Sequence, residues 1–316
     1  MEAVEVFAPA RADLAGGTLD LWPLWCFHPG SLTVNTTLRA GVRLRLSHTD
    51  AAWVVHRCEG KERLLTTADV GRDLTATVVH HFLPEGGVQV EVVQQPPMGS
   101  GLGGSSVYAV ALAKACTQRA RLALSRSTLV AVLKDLEAQV LGAPTGVQDY
   151  YPALYGGTLA IHLRPGGERI ERLAVPRRWL AAHLLVVFTG LPHHSGLVNW
   201  QVYRARVDGH PQVVEALERI AQAARRCRGA LLERDASAVG YALAQEWEAR
   251  RGLAAEVCPP ALGEVLQAGL RAGAWAAKAC GAGGGGSVLF WTSPRFRQAV
   301  EAAVLARCRG GFVVPL

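Results

Sequence analysis

A run of glycines placed directly before a helix-forming stretch constrains this chain more than any other feature. The segment "PPMGSGLGGSS", Pro96 to Ser106, contains four glycines and three serines, and an Ala-, Val- and Leu-rich stretch follows it. Glycine loses the most backbone freedom on folding, so such a cluster indicates positive φ angles or a close approach of the backbone to a ligand. The N–H groups at a helix N-terminus bind anions, so the segment predicts a phosphate-binding loop. A ligand-free strand-to-helix turn is the alternative, although it needs only one or two glycines.

Two well-known phosphate motifs fit this segment poorly. Gly99 and Gly104 have the spacing of a Walker loop, but Ser105 stands where that motif requires Lys. Gly99, Gly101 and Gly104 also spell the dinucleotide pattern G-x-G-x-x-G. That pattern belongs to a βαβ unit with an acidic residue about 20 residues further on. Here a second helix is predicted instead, and "RARLALSRSTLV" contains no acid. A nicotinamide-dependent oxidoreductase is therefore disfavoured.

Composition bounds the remaining classes of function. The chain has 316 residues, of which 50% are hydrophobic and 19% charged, as expected for a folded protein of two domains. It has no apolar run of about 20 residues, and its acidic N-terminus is unlike a signal peptide, so we expect a cytoplasmic protein without a membrane partner. The formal charge of +7 suits an anionic substrate, and no basic stripe with aromatics indicates nucleic acid. The seven cysteines show no Cys-x-x-Cys spacing, which predicts reduced thiols and no zinc.

The periodicity of apolar residues predicts an α+β chain with more strands in its first half and more helices in its second. Alternation in "EAVEVFA", "AGVRLRLSH" and "VQVEVV" is typical of strands. The second half also contains the strands "HLLVVFTG" and "SVLFW", and "FVVPL" could complete the sheet. The segment "RPGGERIERLAVPRRW" is the best candidate boundary. The predicted helices cover Leu74–Phe82, Ser105–Arg119, Ser127–Leu141, Pro211–Arg251, Pro260–Ala277 and Pro294–Arg307.

Three motifs, in order, resemble those of the galactokinase, homoserine kinase, mevalonate kinase and phosphomevalonate kinase (GHMP) superfamily. "PPMGSGLGGSS" resembles its phosphate loop, P-x-x-x-G-L-G-x-S-S, and "ARADLAGGTLDLWPLW" resembles its N-terminal motif. "KACGAGGGGSVLFW" resembles its C-terminal glycine motif. The resemblance implies two domains around a central cleft, an N-terminal α/β ATP-binding domain over residues 1–175 and a helix-rich α/β domain over residues 176–316.

Within this superfamily the chain is most similar to the branch of heptose 7-phosphate kinases and L-fucokinases. The segment "GVQDYYPALYGG" resembles the branch motif "G-K-Q-D-Q-Y-A-A-x-x-G-G". Two positions depart from it, because Val147 replaces Lys and Tyr150 replaces Gln. The resemblance implies an ATP-dependent kinase that phosphorylates a hydroxyl, expected to be anomeric, of a sugar or sugar phosphate. A mevalonate-like acid, an inositol-like polyol and a non-catalytic ligand-binding role are the alternatives, and the chain could form a homodimer.

The resemblance also implies roles for individual residues. Ser105 and Glu137 are expected to hold Mg²⁺. Glu137 also flanks the apolar face of its predicted helix, where a carboxylate is costly unless paired or bound to metal. Asp149 is the candidate catalytic base or orienting carboxylate, and Arg11 is its expected partner near the transferred phosphoryl group. ATP is expected to contact Pro97, Gly99, Ser100, Gly101, Leu102, Gly103, Gly104, Ser105 and Ser106. The acceptor is expected to contact Asp20, Gly17, Thr18, Gly146, Gln148, Gly283 and Gly284.

Three further residues have open roles. Lys278 precedes the second glycine run, where it could meet an anion or lie on a solvent-facing helix surface. His193 and His194 follow a predicted strand and could touch the substrate. Two adjacent histidines without a third ligand are weak evidence for a metal site.

Overall fold

The computed structural model describes residues 3–191 and 195–316, which form two β-sheets with helices packed on them. In these ranges the strands are β1 Val4–Ala15, β2 Leu32–His48, β3 Val54–Cys58, β4 Lys61–Leu65, β5 Val88–Gln94, β6 Thr158–His162, β7 Arg169–Arg172, β8 Leu184–Phe188, β9 Ala274–Ala279, β10 Ser287–Thr292 and β11 Phe312–Val313. The helices are α1 Leu74–Phe82, α2 Gly104–Arg119, α3 Arg126–Leu141, α4 Tyr150–Tyr155, α5 Arg177–His183, α6 Ser195–Val207, α7 Pro211–Glu233, α8 Ala236–Arg251, α9 Pro260–Arg271 and α10 Arg297–Leu305.

The first sheet has seven strands and is organised around the long strand β2. Strand β1 pairs antiparallel with β2 from Val4 opposite Leu46 to Ala15 opposite Val34. The other edge of β2 is shared, because β5 pairs with its second half and β6 with its first. The order is β4-β3-β5-β2-β6-β7, and only β3 and β5 are parallel among these pairs. Helices α2, α4 and α7 all pack on β1 and β2.

The second sheet has four antiparallel strands in the order β11-β8-β10-β9. Its central strand β10 is buried along its whole length, including Phe290 and Trp291, which are 0% exposed. Helix α8 packs on β9 and also contacts β1 of the first sheet. The packing of α8 therefore joins the two sheets directly behind the N-terminal motif. In the described part of the chain, no helix is long and apolar enough to cross a membrane.

The α+β class predicted from the sequence is confirmed, and Leu74–Phe82 has the predicted bounds. The segment Pro211–Arg251, predicted to be helical, forms two helices, because Arg234 after the end of α7 has a φ of +57°. Asp235 then caps α8 by accepting a hydrogen bond from the Ala238 N–H. The predicted helix over Pro260–Ala277 is wrong at its end, because α9 stops at Arg271 and residues 274–277 belong to strand β9.

Two other predicted segments are corrected by the structure. The helix predicted over Pro294–Arg307 is confined to Arg297–Leu305. The candidate boundary segment contains strand β7 and the first turn of α5, so it is not a plain linker. The division of the chain at residues 175 and 176 stays a prediction.

Candidate active site

The phosphate loop has the backbone that its glycines indicated. The φ angles of Gly99, Gly101 and Gly103 are +68°, +71° and +75°. Residues with a Cβ rarely adopt this backbone region. Helix α2 begins at Gly104 without a side-chain cap, whereas Asp73 caps α1. The first turn of α2 can therefore offer its backbone N–H groups and its positive dipole end to a phosphate.

The second glycine run packs against the phosphate loop. The Ser287 N–H donates a hydrogen bond to the Ser100 carbonyl oxygen at 2.7 Å. A Cβ on Gly286 would lie 2.7 Å from the Ser100 carbonyl carbon, and one on Gly281 would lie 3.1 Å from the Gly101 oxygen. Ser100 is also anchored from its own side, since its N–H donates to the Pro97 carbonyl oxygen at 3.1 Å. These contacts allow the two glycine-rich segments to support each other.

The middle of the second run has a different neighbour. Gly284 donates its N–H to the carbonyl oxygen of Val257 at 2.9 Å, and a Cβ on Gly283 would lie 2.9 Å from the Val257 side chain. The backbone at Gly283 and Gly284 is thus held by the segment before α9. Their predicted contact with the acceptor stays a prediction.

Arg11 joins Asp149 to the phosphate loop. Its Nε donates to Asp149 Oδ1 at 2.8 Å, and its Nη1 donates to the Gly101 carbonyl oxygen at 2.7 Å. Asp149 also lies against Gly103, where a Cβ would come within 2.7 Å of the carboxylate carbon. The guanidinium is 3% exposed, and burial opposes its charge, but the carboxylates of Asp149 and Asp13 raise the pKa of Arg11 overall. The sequence-predicted pair is therefore brought together beside the loop.

Asp20 forms the second carboxylate of the site. It follows β1, is 4% exposed, and accepts a hydrogen bond from the Gln148 N–H at 2.9 Å. A side chain on Gly146 would overlap the Asp20 carboxylate. Burial raises the pKa of Asp20 to about 6, although the Gln148 N–H opposes the rise. Asp20 is thus in direct contact with Gly146 and Gln148, which were also predicted as acceptor contacts. Gln148 directly precedes Asp149 in the chain.

The residues that precede Asp20 meet a side chain that the sequence did not single out. Arg250, on α8, donates from Nη2 to the Gly17 carbonyl oxygen at 3.0 Å and from Nη1 to Thr18 Oγ1 at 3.1 Å. Thr18 has a φ of +74°, which is unusual for a β-branched residue. Gln148 also borders this turn, since a Cβ on Gly17 would lie 3.0 Å from its Nε2.

Glu137 lies next to the serines at the start of α2. Ser106 Oγ donates to Glu137 Oε2 at 2.7 Å, and the Tyr150 hydroxyl also donates to this carboxylate. The Ser105 hydroxyl is the third one near it. Glu137 is 3% exposed, and burial raises its pKa, while the three hydroxyl groups oppose the rise. A carboxylate with neighbouring hydroxyl groups suits Mg²⁺. Among the described residues no group of three or more His, Cys, Asp or Glu forms a metal site, so phosphate and water oxygens would complete the coordination.

The two departures from the branch motif do not point toward Asp20. Val147 is 4% exposed and belongs to the apolar core. Tyr150 is fully buried and its hydroxyl donates to Glu137, on the side of the site that would hold the metal. The contact between Tyr150 and Glu137 connects α4 to α3.

Lys278 was one of the residues with an open role, and the structure corrects its surface-helix interpretation. It lies on strand β9, is 0% exposed, and donates to the Leu14 carbonyl oxygen at 3.1 Å. It also pairs with Glu246, which the sequence analysis missed. His193 and His194 lie outside the described residues.

Comparison with known proteins identifies the family. Residues 70–157 match the N-terminal domain of GHMP kinases, and residues 227–310 match their C-terminal domain. The chain belongs to the GHMP kinase family. It therefore has the two-domain fold of these kinases and is a phosphotransferase that acts on a hydroxyl group, for which the family uses ATP as the donor.

Three relatives within the GHMP kinases differ in what they phosphorylate. The D-glycero-alpha-D-manno-heptose 7-phosphate kinase of Campylobacter jejuni is 24% identical over 93% of this chain and 91% of its own length. The mevalonate kinase of Pyrococcus horikoshii is 29% identical, over 70% of this chain and 64% of its own. The crystal structure of a D-glycero-D-manno-heptose 1-phosphate kinase from Bacteroides thetaiotaomicron aligns with a TM-score of 0.74 at 22% identity, covering 99% of this chain and 95% of that one.

Proposed function

We propose that this kinase transfers the γ-phosphoryl group of Mg²⁺-ATP to the anomeric hydroxyl of a sugar or sugar phosphate in the cytoplasm. The observation that carries the proposal is the buried carboxylate of Asp20, held by the Gln148 N–H beside Asp149. A carboxylate in this position accepts hydrogen bonds from neighbouring hydroxyl groups, which a sugar supplies in pairs. The similarity to a heptose 7-phosphate kinase over nearly the whole chain supports the same acceptor class.

A mevalonate-like acid is the second candidate, because archaeal mevalonate kinases are among the relatives. The charges of the acceptor side favour the sugar. An acceptor carboxylate would meet the buried anion of Asp20, and like charges in a poorly solvated site repel strongly. Of the nearby cations, Arg11 is already paired with Asp149, and Arg250 is paired with Glu246.

The phosphate loop and α2 supply the donor side of the reaction. We expect the triphosphate to bind along residues 99–106, with its oxygens on the N–H groups of the first turn of α2. Glu137 and Ser105 would hold Mg²⁺, which neutralises charge on the transferred phosphoryl group. Tyr150 and Ser106 would fix the orientation of the Glu137 carboxylate through the hydrogen bonds described above.

Asp149 and Arg11 supply the acceptor side. Asp149 would orient the reacting hydroxyl and accept its proton, and the proximity of Gly103 places this carboxylate directly at the phosphate loop. Arg11 would keep Asp149 in place and present positive charge to the transferred group. An anomeric hydroxyl is more acidic than an ordinary alcohol, so its proton would be transferred to Asp149 more easily. Positioning of the two substrates then supplies much of the rate.

A screen of metabolites for ATP-dependent phosphorylation, read by mass spectrometry, tests this proposal. Phosphorus NMR of the product should show a phosphate coupled to an anomeric proton. A phosphate on a primary alcohol contradicts the anomeric position, and a phosphorylated non-sugar acid contradicts the sugar as acceptor. Asp149→Asn is the control, because product formation that depends on the site should fall sharply in this variant.

A further inference from the structure

Four charged side chains form a buried cluster behind the acceptor side of the site. They come from β1, α8 and β9, and each is at most 1% exposed. Two are negative and two positive, so the cluster is electrically neutral. The members of this buried charge cluster are Asp13, Glu246, Arg250 and Lys278.

The cluster is closely paired. Lys278 Nζ lies 2.9 Å from Glu246 Oε2 and 3.5 Å from Asp13 Oδ2. Arg250 Nε donates to Glu246 Oε1 at 2.9 Å, and Arg250 Nη2 lies 3.6 Å from Asp13 Oδ2. Burial alone would raise the pKa of Glu246, but the two cations outweigh it and lower that pKa. Replacement of such clusters by apolar side chains is often neutral or stabilising, so fold stability does not by itself account for it.

Arg250 also has hydrogen bonds outside the cluster, and they reach two parts of the site. Besides Gly17 and Thr18, its Nη1 reaches the Gly281 carbonyl oxygen at 3.4 Å. Gly281 in turn lies against Gly101 of the phosphate loop. One guanidinium therefore touches both the turn that carries Asp20 and the segment that supports the phosphate loop.

The turn that Arg250 contacts is strained. Thr18 has its φ of +74° only two residues before Asp20, and this backbone conformation is costly for a β-branched residue. Such a conformation persists only where the surroundings over-determine it. The hydrogen bonds from Arg250 to Gly17 and to Thr18 supply that constraint from one rigid, planar group.

We propose that Arg250 is a positioning residue that sets the distance between the acceptor turn at Gly17–Asp20 and the phosphate loop. It does not touch the reacting atoms. Its guanidinium holds Thr18 in the strained conformation and thereby aims the Asp20 carboxylate at the acceptor, and the contact with Gly281 ties this turn to the donor side. This role rests on the proposed function, because it assumes that Asp20 binds the acceptor.

Arg250→Lys keeps the charge of the cluster but cannot reach Glu246, Thr18 and Gly281 with one ammonium group. We expect the KM for the acceptor to rise by about tenfold or more and kcat to fall several-fold, with the KM for ATP changed by less than about twofold. Arg228→Lys is the matched control, since Arg228 binds Glu171 through two hydrogen bonds of 2.7 and 2.6 Å and, within residues 3–191 and 195–316, makes none to the site. The control should leave all three constants unchanged.

The variant Thr18→Gly separates positioning from stability, because glycine adopts positive φ without strain. If Arg250 acts by holding this turn, the effect of Arg250→Lys on the acceptor KM should shrink by about threefold or more in the Thr18→Gly background. An effect of equal size in both backgrounds overturns the proposal, as does an unchanged acceptor KM in folded Arg250→Lys. If Arg250→Lys does not fold, Thr18→Val removes the hydroxyl partner instead, and an unchanged acceptor KM in that variant overturns the proposal.

These kinetics are measured with whichever acceptor the metabolite screen returns. A screen that returns no sugar contradicts the proposed function, while the comparison of acceptor and ATP KM values still tests Arg250. A sugar acceptor together with unchanged kinetics in Arg250→Lys contradicts only the positioning role.

Discussion

The substitution Asp20→Asn should raise the stability of the protein and lower its catalytic activity. Asp20 is 4% exposed, and burial raises its pKa from 3.8 to about 6. The difference between these values corresponds to a free energy of about 3 kcal/mol that the ionised carboxylate costs the folded state. An asparagine keeps the oxygen that accepts the Gln148 N–H but carries no charge, so the variant should recover up to this amount of stability at neutral pH.

The sign of the pH dependence follows from the same pKa values. Between pH 4 and pH 6, about the pKa of Asp20 in the unfolded and folded states, the folded protein binds more protons at this site than the unfolded chain does. The contribution of Asp20 to the free energy of unfolding is therefore full below about pH 4 and is lost as the pH rises through about 6. The stability advantage of Asp20→Asn should be close to zero near pH 4 and should reach its full size above about pH 7.

Urea unfolding of both proteins without ligand, at several pH values between 4.5 and 8, measures this difference. Asp135→Asn is the control, because Asp135 lies on the outer face of α3 with its side chain 76% exposed. The control should show no such pH-dependent gain. The Asp20→Asn protein should also lose about a hundredfold in kcat/KM for the phosphoryl acceptor. The substitution removes the negative charge that strengthens hydrogen bonds from the hydroxyl groups of the substrate. A variant that is less stable than the wild type at pH 7.5, or a gain that does not change with pH, refutes the reasoning.

Three further predictions concern the donor side and the reacting centre. Glu137→Gln should weaken Mg²⁺-dependent turnover by about tenfold or more, measured as the Mg²⁺ concentration for half-maximal rate; an unchanged Mg²⁺ dependence contradicts the metal assignment. Asp149→Asn should lower kcat by about a hundredfold with the KM for ATP preserved, and near-normal turnover would mean that another group takes the proton. Gly103→Ala should lower kcat and Tm together, because φ is +75° and the new Cβ would press on the Asp149 carboxylate. Gly229→Ala is its control, since nothing lies within 4 Å of a Cβ there and Gly229 lies on α7, outside the phosphate loop.

The sequence predicts those parts of the site that depend on local backbone geometry. The positive φ angles of the phosphate loop and its place before α2 follow from the glycines and from the helix-forming stretch after them. Glu137 could be placed at the edge of a helical apolar face by counting residues along α3, and it is buried there. In each case the residues that determine the local structure lie within a few positions of the residues that adopt it.

Contacts between distant segments could not be predicted in this way. Arg250 lies 233 positions from Gly17, and its neighbours in sequence give it the appearance of one more arginine in a basic helical segment. Lys278 was ambiguous because the Ala-rich stretch around it suits a helix as well as a strand. The structure resolves the ambiguity through pairing, since β9 is held by β10 and the Lys278 ammonium group by Glu246. A signal was nevertheless present, because Glu246 and Arg250 have the i, i+4 spacing of a helical ion pair.

One glycine in each of the phosphate loop, the N-terminal motif and the branch motif has a common physical reason that only the assembled structure shows. A Cβ on Gly103 would press on Asp149, and one on Gly146 would overlap Asp20. A Cβ on Gly17 would lie 2.6 Å from Asp13 Oδ2. In each case the space left by a missing side chain is filled by a carboxylate that comes from another motif or from another part of the same one. Alanine at position 103, 146 or 17 should therefore displace a different carboxylate each time: Asp149, Asp20 or Asp13, respectively.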